Sequence, residues 1–520
     1  MKKLLSIVLC AFTVLSLCTV AGCKKETEDS EGSAEVEYVY EYQKSSNQSN
    51  SSEVVEAGNS SNKSSKNKST KTTKKKTSGD SIVPEVGGKT GDTAMDQLKS
   101  YDLKGYEFVI ATYDVPSAGK NDYFDAVLTR NARVEKKLNC KIRYEYYDPQ
   151  TFYKTTSTAI MAGDKVGDVL EFTMYNMGNF INSQLLYDIN KLKFIDKKAD
   201  CWDPIGFENT TIGSGTYGLL GPITFWRNGG GIFYNRKLIK SMGLEDPQAL
   251  VKKNQWTWDK FKKMVSKSMK DLDNDGQYTA NDQWACSCEE YDGIVSFFGG
   301  SGNNIFSVSN KKYTYNLDSK KSLSALTDMK NIFAIPGGIY NQMGEVSKNR
   351  KMFSSGKCVF YLGSGMQCTS GSDFAKLGSN LGVVPFPKGN NAKNYVSNVS
   401  HNSCMLAVPV TITSPDKTGL ILQYLAMEAE ASNEREVYRK YMTNGYQSSA
   451  NVEIYNKYIY PNVKFDSAMM FKAMNLNVYN ATECVIGNPI ILDQANYTAA
   501  ALIESYKDAC VKFMNTINKK

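Results

Sequence analysis

Histidine is almost missing: His401 is the only one in 520 residues. A histidine–carboxylate catalytic network therefore has no second member, and His401 reads as a capping or loop residue. Long apolar runs are missing as well, apart from one at the start, Leu4 to Val20. No later stretch approaches the ~20 residues a membrane span needs. "VGGKTGD" (Val86 to Asp92) lacks the first glycine of a phosphate loop, because position 83 is Val, and no strand-to-helix context surrounds it. Glu289-Glu290 offers no facing carboxylate pair. Neighbours on a helix point apart, glycoside hydrolysis needs carboxyl groups ~5–9.5 Å apart across a bond, and the two read as a solvated face. The formal charge of +8 is spread along the chain, which does not indicate nucleic acid.

What is present begins with an address. Lys2 and Lys3 precede the apolar run, which ends in Val20-Ala21-Gly22-Cys23, the layout of a secretory signal. The ending resembles a bacterial lipobox. It implies cleavage before Cys23, a lipid such as palmitate on that residue, and a place on the extracellular face of the cell membrane. Acyl chains hold by burying methylene groups at ~0.8 kcal/mol each, so the anchor needs no folded domain. From Lys24 to about Ser100 the chain is Ser, Asn, Thr, Lys, Glu and Gly, with acids first and a lysine block, Lys63 to Lys76, after them. That composition cannot offset the entropy of ordering and predicts a disordered tether. Of twelve cysteines, Cys10 and Cys18 leave with the signal and Cys23 carries lipid. The nine that remain are scattered and odd in number, and Cys286-Ser287-Cys288 has no zinc-like partner pair. They read mostly as buried small residues or free thiols.

The body, about Tyr101 to Lys520, is long enough for two lobes. "YEFVIATYD" (Tyr106 to Asp114) is a strand by its β-branched and aromatic content. Phe124, Val127, Leu128, Val134 and Leu138 follow at helical spacing. "CKIRYEYYD" alternates as a half-buried strand, Phe152 to Met161 forms a second helix, and "DVLEF" (Asp168 to Phe172) is a buried strand. This order predicts a mainly parallel sheet, with ligands met beyond the carboxyl ends of its strands.

Further motifs carry a resemblance. "AIMAGDKVGDVLEF" leads to "INSQLLYDINKL". Trp202-Asp203, Gly215-Thr216-Tyr217-Gly218-Leu219 and Phe233-Tyr234-Asn235-Arg236-Lys237-Leu238 come next. "WTWDKF" (Trp256 to Phe261), "FSSGKCVFYLGSG" (Phe353 to Gly365) and "GVVPFPKG" (Gly382 to Gly389) complete the series. Their shared order resembles family 1 extracellular solute-binding proteins, the lipid-anchored receptors of carbohydrate ABC importers. The resemblance covers most of the body. It implies a two-lobed α/β fold of the periplasmic-binding-protein type II kind, with a ligand cleft between lobes joined by crossing strands. Placed on this sequence, residues 1–22 are signal and 23–100 tether. Residues 101–225 with 402–430 form the first lobe, and 226–401 with 431–520 the second. Crossings fall near Ile223–Asn228, near Val399–Cys404 and past Glu430.

Sugar recognition needs aromatic faces and hydrogen-bonding groups on apolar walls. The candidates at strand ends are Tyr113 and Asp114, then Phe172, Tyr175 and Asn176. Trp226 and Asn228 stand at the first crossing. Ser364 and Met366 follow "KCVFYLG", where relatives often carry Trp. In "DLDNDGQYTAND", Asp271, Asp273 and Asp275 hold loop positions one, three and five, Gly276 six and Asp282 twelve. With the backbone carbonyl of Gln277, that pattern suits a structural calcium ion, which takes six to eight oxygens; Asp stands at twelve where Glu is usual. The expectation is a non-enzymatic, monomeric receptor that needs no cofactor. It would capture a sugar or oligosaccharide and hand it to ABC permease subunits. The rivals are a receptor for peptide or another polar metabolite, and a surface-tethered glycan-processing enzyme.

Overall fold

The computed structural model describes residues 85–86, 98–224, 226–342, 345–389, 392–474 and 499–518. The signal, Cys23, the lysine block and nearly all of the tether lie outside them. No helix among the described residues is long and apolar enough to cross a membrane.

The chain first lays down β1 (Tyr106–Thr112), α1 (Asp122–Leu138), β2 (Cys140–Tyr146), α2 (Phe152–Ala162) and β3 (Val169–Thr173). The strands and helices expected from periodicity are all here, with ends shifted by a few residues. Helix α1 starts where the Asn121 side chain accepts from the Phe124 N–H, and it ends at Asn139 in the left-handed conformation. Its stripe of Phe124, Val127, Val134 and Leu138 is buried, the 3.6-residue period laid against the sheet. Helix α2 stops at Gly163, whose φ of 87° suits a residue without Cβ.

Crossing to the second sheet, the chain forms β4 (Gly231–Asn235), β5 (Trp284–Cys288), β6 (Ile339–Tyr340), α3 (Val346–Ser354), β7 (Cys358–Gly363) and β8 (Leu381–Val384). The order is β6-β5-β7-β4-β8. Strand β5 runs parallel to β6 and β7, while β4 runs antiparallel to β7 and β8. The chain then returns as β9 (Cys404–Ala407), antiparallel to β3 at the edge of the first sheet. That sheet has the order β9-β3-β1-β2 and is parallel among β1, β2 and β3. Helices α4 (Pro415–Ala431), α5 (Glu434–Thr443) and α6 (Ala499–Ile517) follow.

The molecule is thus two α/β lobes, each with its own sheet, joined by crossing segments. Two of these segments lie side by side. Gly229 bridges Val399, and the Ser400 N–H donates to the Asn228 carbonyl at 2.7 Å. A third runs beside the second, with Ser397–Asn398 paired to Val463–Lys464. Helix α5 packs on α1, held by the buried Arg130–Glu434 pair at 2.9 Å. All eight described cysteines are buried, as the scattered spacing suggested.

Candidate ligand-binding site

The carboxyl ends of both sheets meet the crossing segments. At the first lobe, β9 begins at Cys404 opposite Thr173, where β3 ends. At the second, β7 ends at Gly363 opposite Gly231, where β4 emerges from the first crossing. Side chains just beyond those strand ends are therefore the ones a ligand between the lobes would touch.

On the first lobe, Tyr113 and Asp114 follow β1, and Tyr175 follows β3; all three are half-buried. The Tyr113 hydroxyl lies 2.8 Å from the Cys404 thiol, and its ring meets Phe152 edge-on. Asp114 pairs loosely with Lys120 at 3.7 Å. Burial pushes its carboxyl up, and Lys120 only partly opposes this. Beside it stands Glu171 of β3, half-buried, with its pKa pushed up to about 7 by burial and then by the Asp114 charge, against the pull of the Thr112 hydroxyl. The Tyr123 ring on α1 stacks toward Tyr441 of α5, with centroids 6.3 Å apart and planes at 25°. This sheet end thus gathers phenol rings around two carboxylates.

Two of the expected walls are placed differently. Phe172 has no exposed surface; it stacks with Phe152 at 6.1 Å and meets Phe180 at 4.7 Å. The strand alternation that turns Glu171 out turns Phe172 into the core. Trp226 is 3% exposed, its indole N–H donates to Asp203 at 2.7 Å, and the Arg227 guanidinium lies 4.9 Å from its ring. Arg435 of α5 reaches the same Asp203 oxygen at 2.7 Å. Trp226 thus fixes the first crossing to the first lobe and presents no open face. Asn176 is buried as well.

On the second lobe, Asn228 and Ser364 are brought together: the Ser364 hydroxyl donates to the Asn228 Oδ1 at 3.3 Å. Both are fully or nearly fully buried, while Met366 is half-buried. Under them lies Glu289, just past β5. It is 6% exposed, against the expected solvated face. His401 lies in the turn before β9. Asp292 accepts from the Ser400 hydroxyl at 2.6 Å and the His401 backbone N–H at 3.0 Å, and the His401 Nδ1 lies 2.9 Å from it. Burial would raise the Asp292 carboxyl, but His401 and these hydrogen bonds hold it below the ordinary carboxylate range.

The acidic loop lies apart from this region. One oxygen each of Asp271, Asp273 and Asp275 lies within 4.8 Å of the others, and Gly276 turns at φ 81°. Asp282 does not join them. Its oxygens accept the backbone N–H of Leu272 at 2.9 Å and of Thr279 at 2.7 Å, so it ties the loop shut. The Gln277 N–H donates to Asp275 at 2.7 Å.

A family model for bacterial extracellular solute-binding proteins matches residues 117–431. Among solved structures, the chain is similar to a galacto-N-biose-/lacto-N-biose I-binding protein of the ABC transporter from Bifidobacterium longum, in complex with lacto-N-biose. Identity is 11%, coverage is 80% of this chain and 98% of that one, and the TM-score is 0.55. An ABC substrate-binding protein from Listeria monocytogenes, in complex with cycloalternan, has 14% identity, coverage of 79% and 99%, and a TM-score of 0.53. The maltose-maltodextrin binding protein of Alicyclobacillus acidocaldarius has 15% identity, coverage of 78% and 99%, and a TM-score of 0.51. No curated protein matches the sequence.

Proposed function

This chain belongs to the bacterial extracellular solute-binding proteins, and from that premise we propose that it captures a sugar or oligosaccharide between its lobes for an ABC importer. The observation that carries the reading is the first-lobe strand end, where Tyr113 and Tyr175 stand beside Asp114 and Glu171. Phenol rings match the C–H face of a sugar, and carboxylates accept from its hydroxyls. The similar structures, which bind lacto-N-biose and cycloalternan, support this ligand class. Asn228, Ser364 and Met366 would form the opposing wall. A lipid on Cys23 would hold the receptor to the outer membrane face, and permease subunits would receive its cargo. Asp271, Asp273 and Asp275 would hold a structural calcium ion, with Gln277 lending a carbonyl.

Calorimetry against lacto-N-biose, cycloalternan and maltotetraose tests the reading. Wild type should bind at least one sugar, and Tyr175→Ala should weaken that binding about tenfold, ~1.4 kcal/mol. No binding to any sugar, with binding to a peptide pool, would hand the site to the peptide-receptor rival. Cys23→Ala should move the protein from the membrane fraction to the medium or leave it unprocessed. A variant still processed and membrane-bound would end the lipid reading.

The two carboxylates, Asp114 and Glu171, are the one observation that favours a glycan-processing enzyme. They rise from neighbouring strands of one lobe, so a sugar would meet both from the same side, whereas hydrolysis needs carboxyls flanking the bond. New reducing ends released by wild type and lost in Glu171→Gln would favour that rival.

A further inference from the structure

We infer that Glu289 is a positioning residue of the binding site, one that sets the Ser364–Gln367 turn against Asn228 without itself meeting the ligand. The inference rests on the carbohydrate reading above.

Glu289 joins three separate pieces of the second lobe. Its Oε1 accepts from Arg350 Nη2 of α3 at 2.8 Å and from Gln367 Nε2 at 2.5 Å. Its Oε2 accepts from the Ser364 backbone N–H at 2.6 Å. Its own N–H donates to Leu362 of β7 at 2.8 Å. A carboxylate is acceptor-only, so it can serve three donors at once where no neutral side chain could.

The space around it is fixed by backbone. A Cβ built on Gly363 would stand 2.8 Å from Glu289 Oε2, and one on Gly365 would stand 2.8 Å from the Gly229 carbonyl. The turn after β7 is thus pressed between the carboxylate on one side and the first crossing on the other. Within that turn the Ser364 hydroxyl meets Asn228 Oδ1, and the Met366 N–H donates to Ser364 Oγ at 3.2 Å.

Asn228 gives the arrangement a direction. It has no exposed surface, and its Nδ2 has no hydrogen-bond partner among the described residues. A buried amide donor without an acceptor is costly, and this one marks a place where an acceptor can arrive from outside the chain. A ligand hydroxyl is one. Ser364 holds the Oδ1 side of that amide and so decides which way Nδ2 points. Glu289, by holding Ser364, decides it at one remove.

The test is a double-mutant cycle read by calorimetry, using whichever of lacto-N-biose, cycloalternan and maltotetraose wild type binds. Glu289→Gln replaces one acceptor oxygen with a donor that faces other donors. It should weaken binding at least tenfold while the folded spectrum is kept. In a Ser364→Ala background the same substitution should change affinity less than threefold, because residues acting through one another are not additive. A role in stability alone would lower Tm and leave the affinity of the folded protein unchanged. If Glu289→Gln does not fold, Glu289→Asp, which keeps the charge and shortens the arm, carries the same cycle. Unchanged affinity, or additive losses, overturns the inference and leaves the carbohydrate reading standing. A wild type that binds none of the sugars overturns both.

Discussion

Glu171 keeps a proton that an ordinary glutamate would have released. Its folded pKa of about 7 stands above the ordinary 4.5, so between those values the folded state binds a proton that the unfolded state has lost. Stability from this group is full below about 4.5 and is lost as pH rises through 7. Glu171→Gln, a neutral mimic of the protonated form, should leave Tm unchanged at pH 5 and raise it at pH 8, as thermal melts would read. An equal effect at both pH values would show that the carboxyl does not titrate there. "DVLEF" reads as a buried apolar strand, and so it is, with Phe172 in the core. Glu171 is the polar residue in the middle of that strand, and alternation alone puts it on the face opposite Phe172. Asp114 was legible as a candidate, but Glu171, 57 positions further on, was not, because its nearness to Asp114 follows from the pairing of β1 with β3. Glu289 was misread for the same reason: a helix rule for adjacent residues says nothing about an Arg350 that reaches it from another element.

The helix and strand periods locate elements well, but loops follow hydrogen bonds that a pattern does not show. The acidic loop has calcium-like spacing, yet Asp282 at its last position serves backbone N–H groups of Leu272 and Thr279. This separates two roles that the pattern merges. An ion that binds only the folded state raises Tm by mass action. Wild type should melt higher in millimolar calcium than in chelator, and Asp273→Asn with Asp275→Asn should abolish the difference. Asp282→Asn should lower Tm in chelator and calcium alike, because it weakens the loop itself. A wild-type melt indifferent to calcium would leave the three carboxylates as a solvated turn. The first crossing shows the same limit. Trp226 was legible as a crossing residue, but its tie to Asp203, with Arg435 on the same oxygen, depends on α5 arriving from more than two hundred positions away.

Across the whole molecule, the order of motifs carried the two-lobed fold, because each lobe is built around its own sheet. The second and third crossings are held from the second lobe. Asp292 grips Ser400 and His401, while Asp466 accepts from Ile305 and Phe306 at 2.6 and 3.0 Å. Burial raises the Asp466 carboxyl to about 6. Hinges are a few residues that absorb the backbone change, and such anchoring leaves the bend to the stretch between His401 and Cys404. Small-angle scattering should show the radius of gyration falling when the bound sugar is added. Asn402→Pro with Ser403→Pro should blunt that fall with the folded spectrum kept; an unchanged fall would put the bend elsewhere.

The eight buried cysteines bear on how the chain meets oxidants. Burial pushes Cys286 and Cys368 well above the ordinary thiol range, and Cys201 and Cys510 to about 11. The reactive form of sulfur is the thiolate, so burial keeps these four sulfurs in the less reactive protonated form at neutral pH.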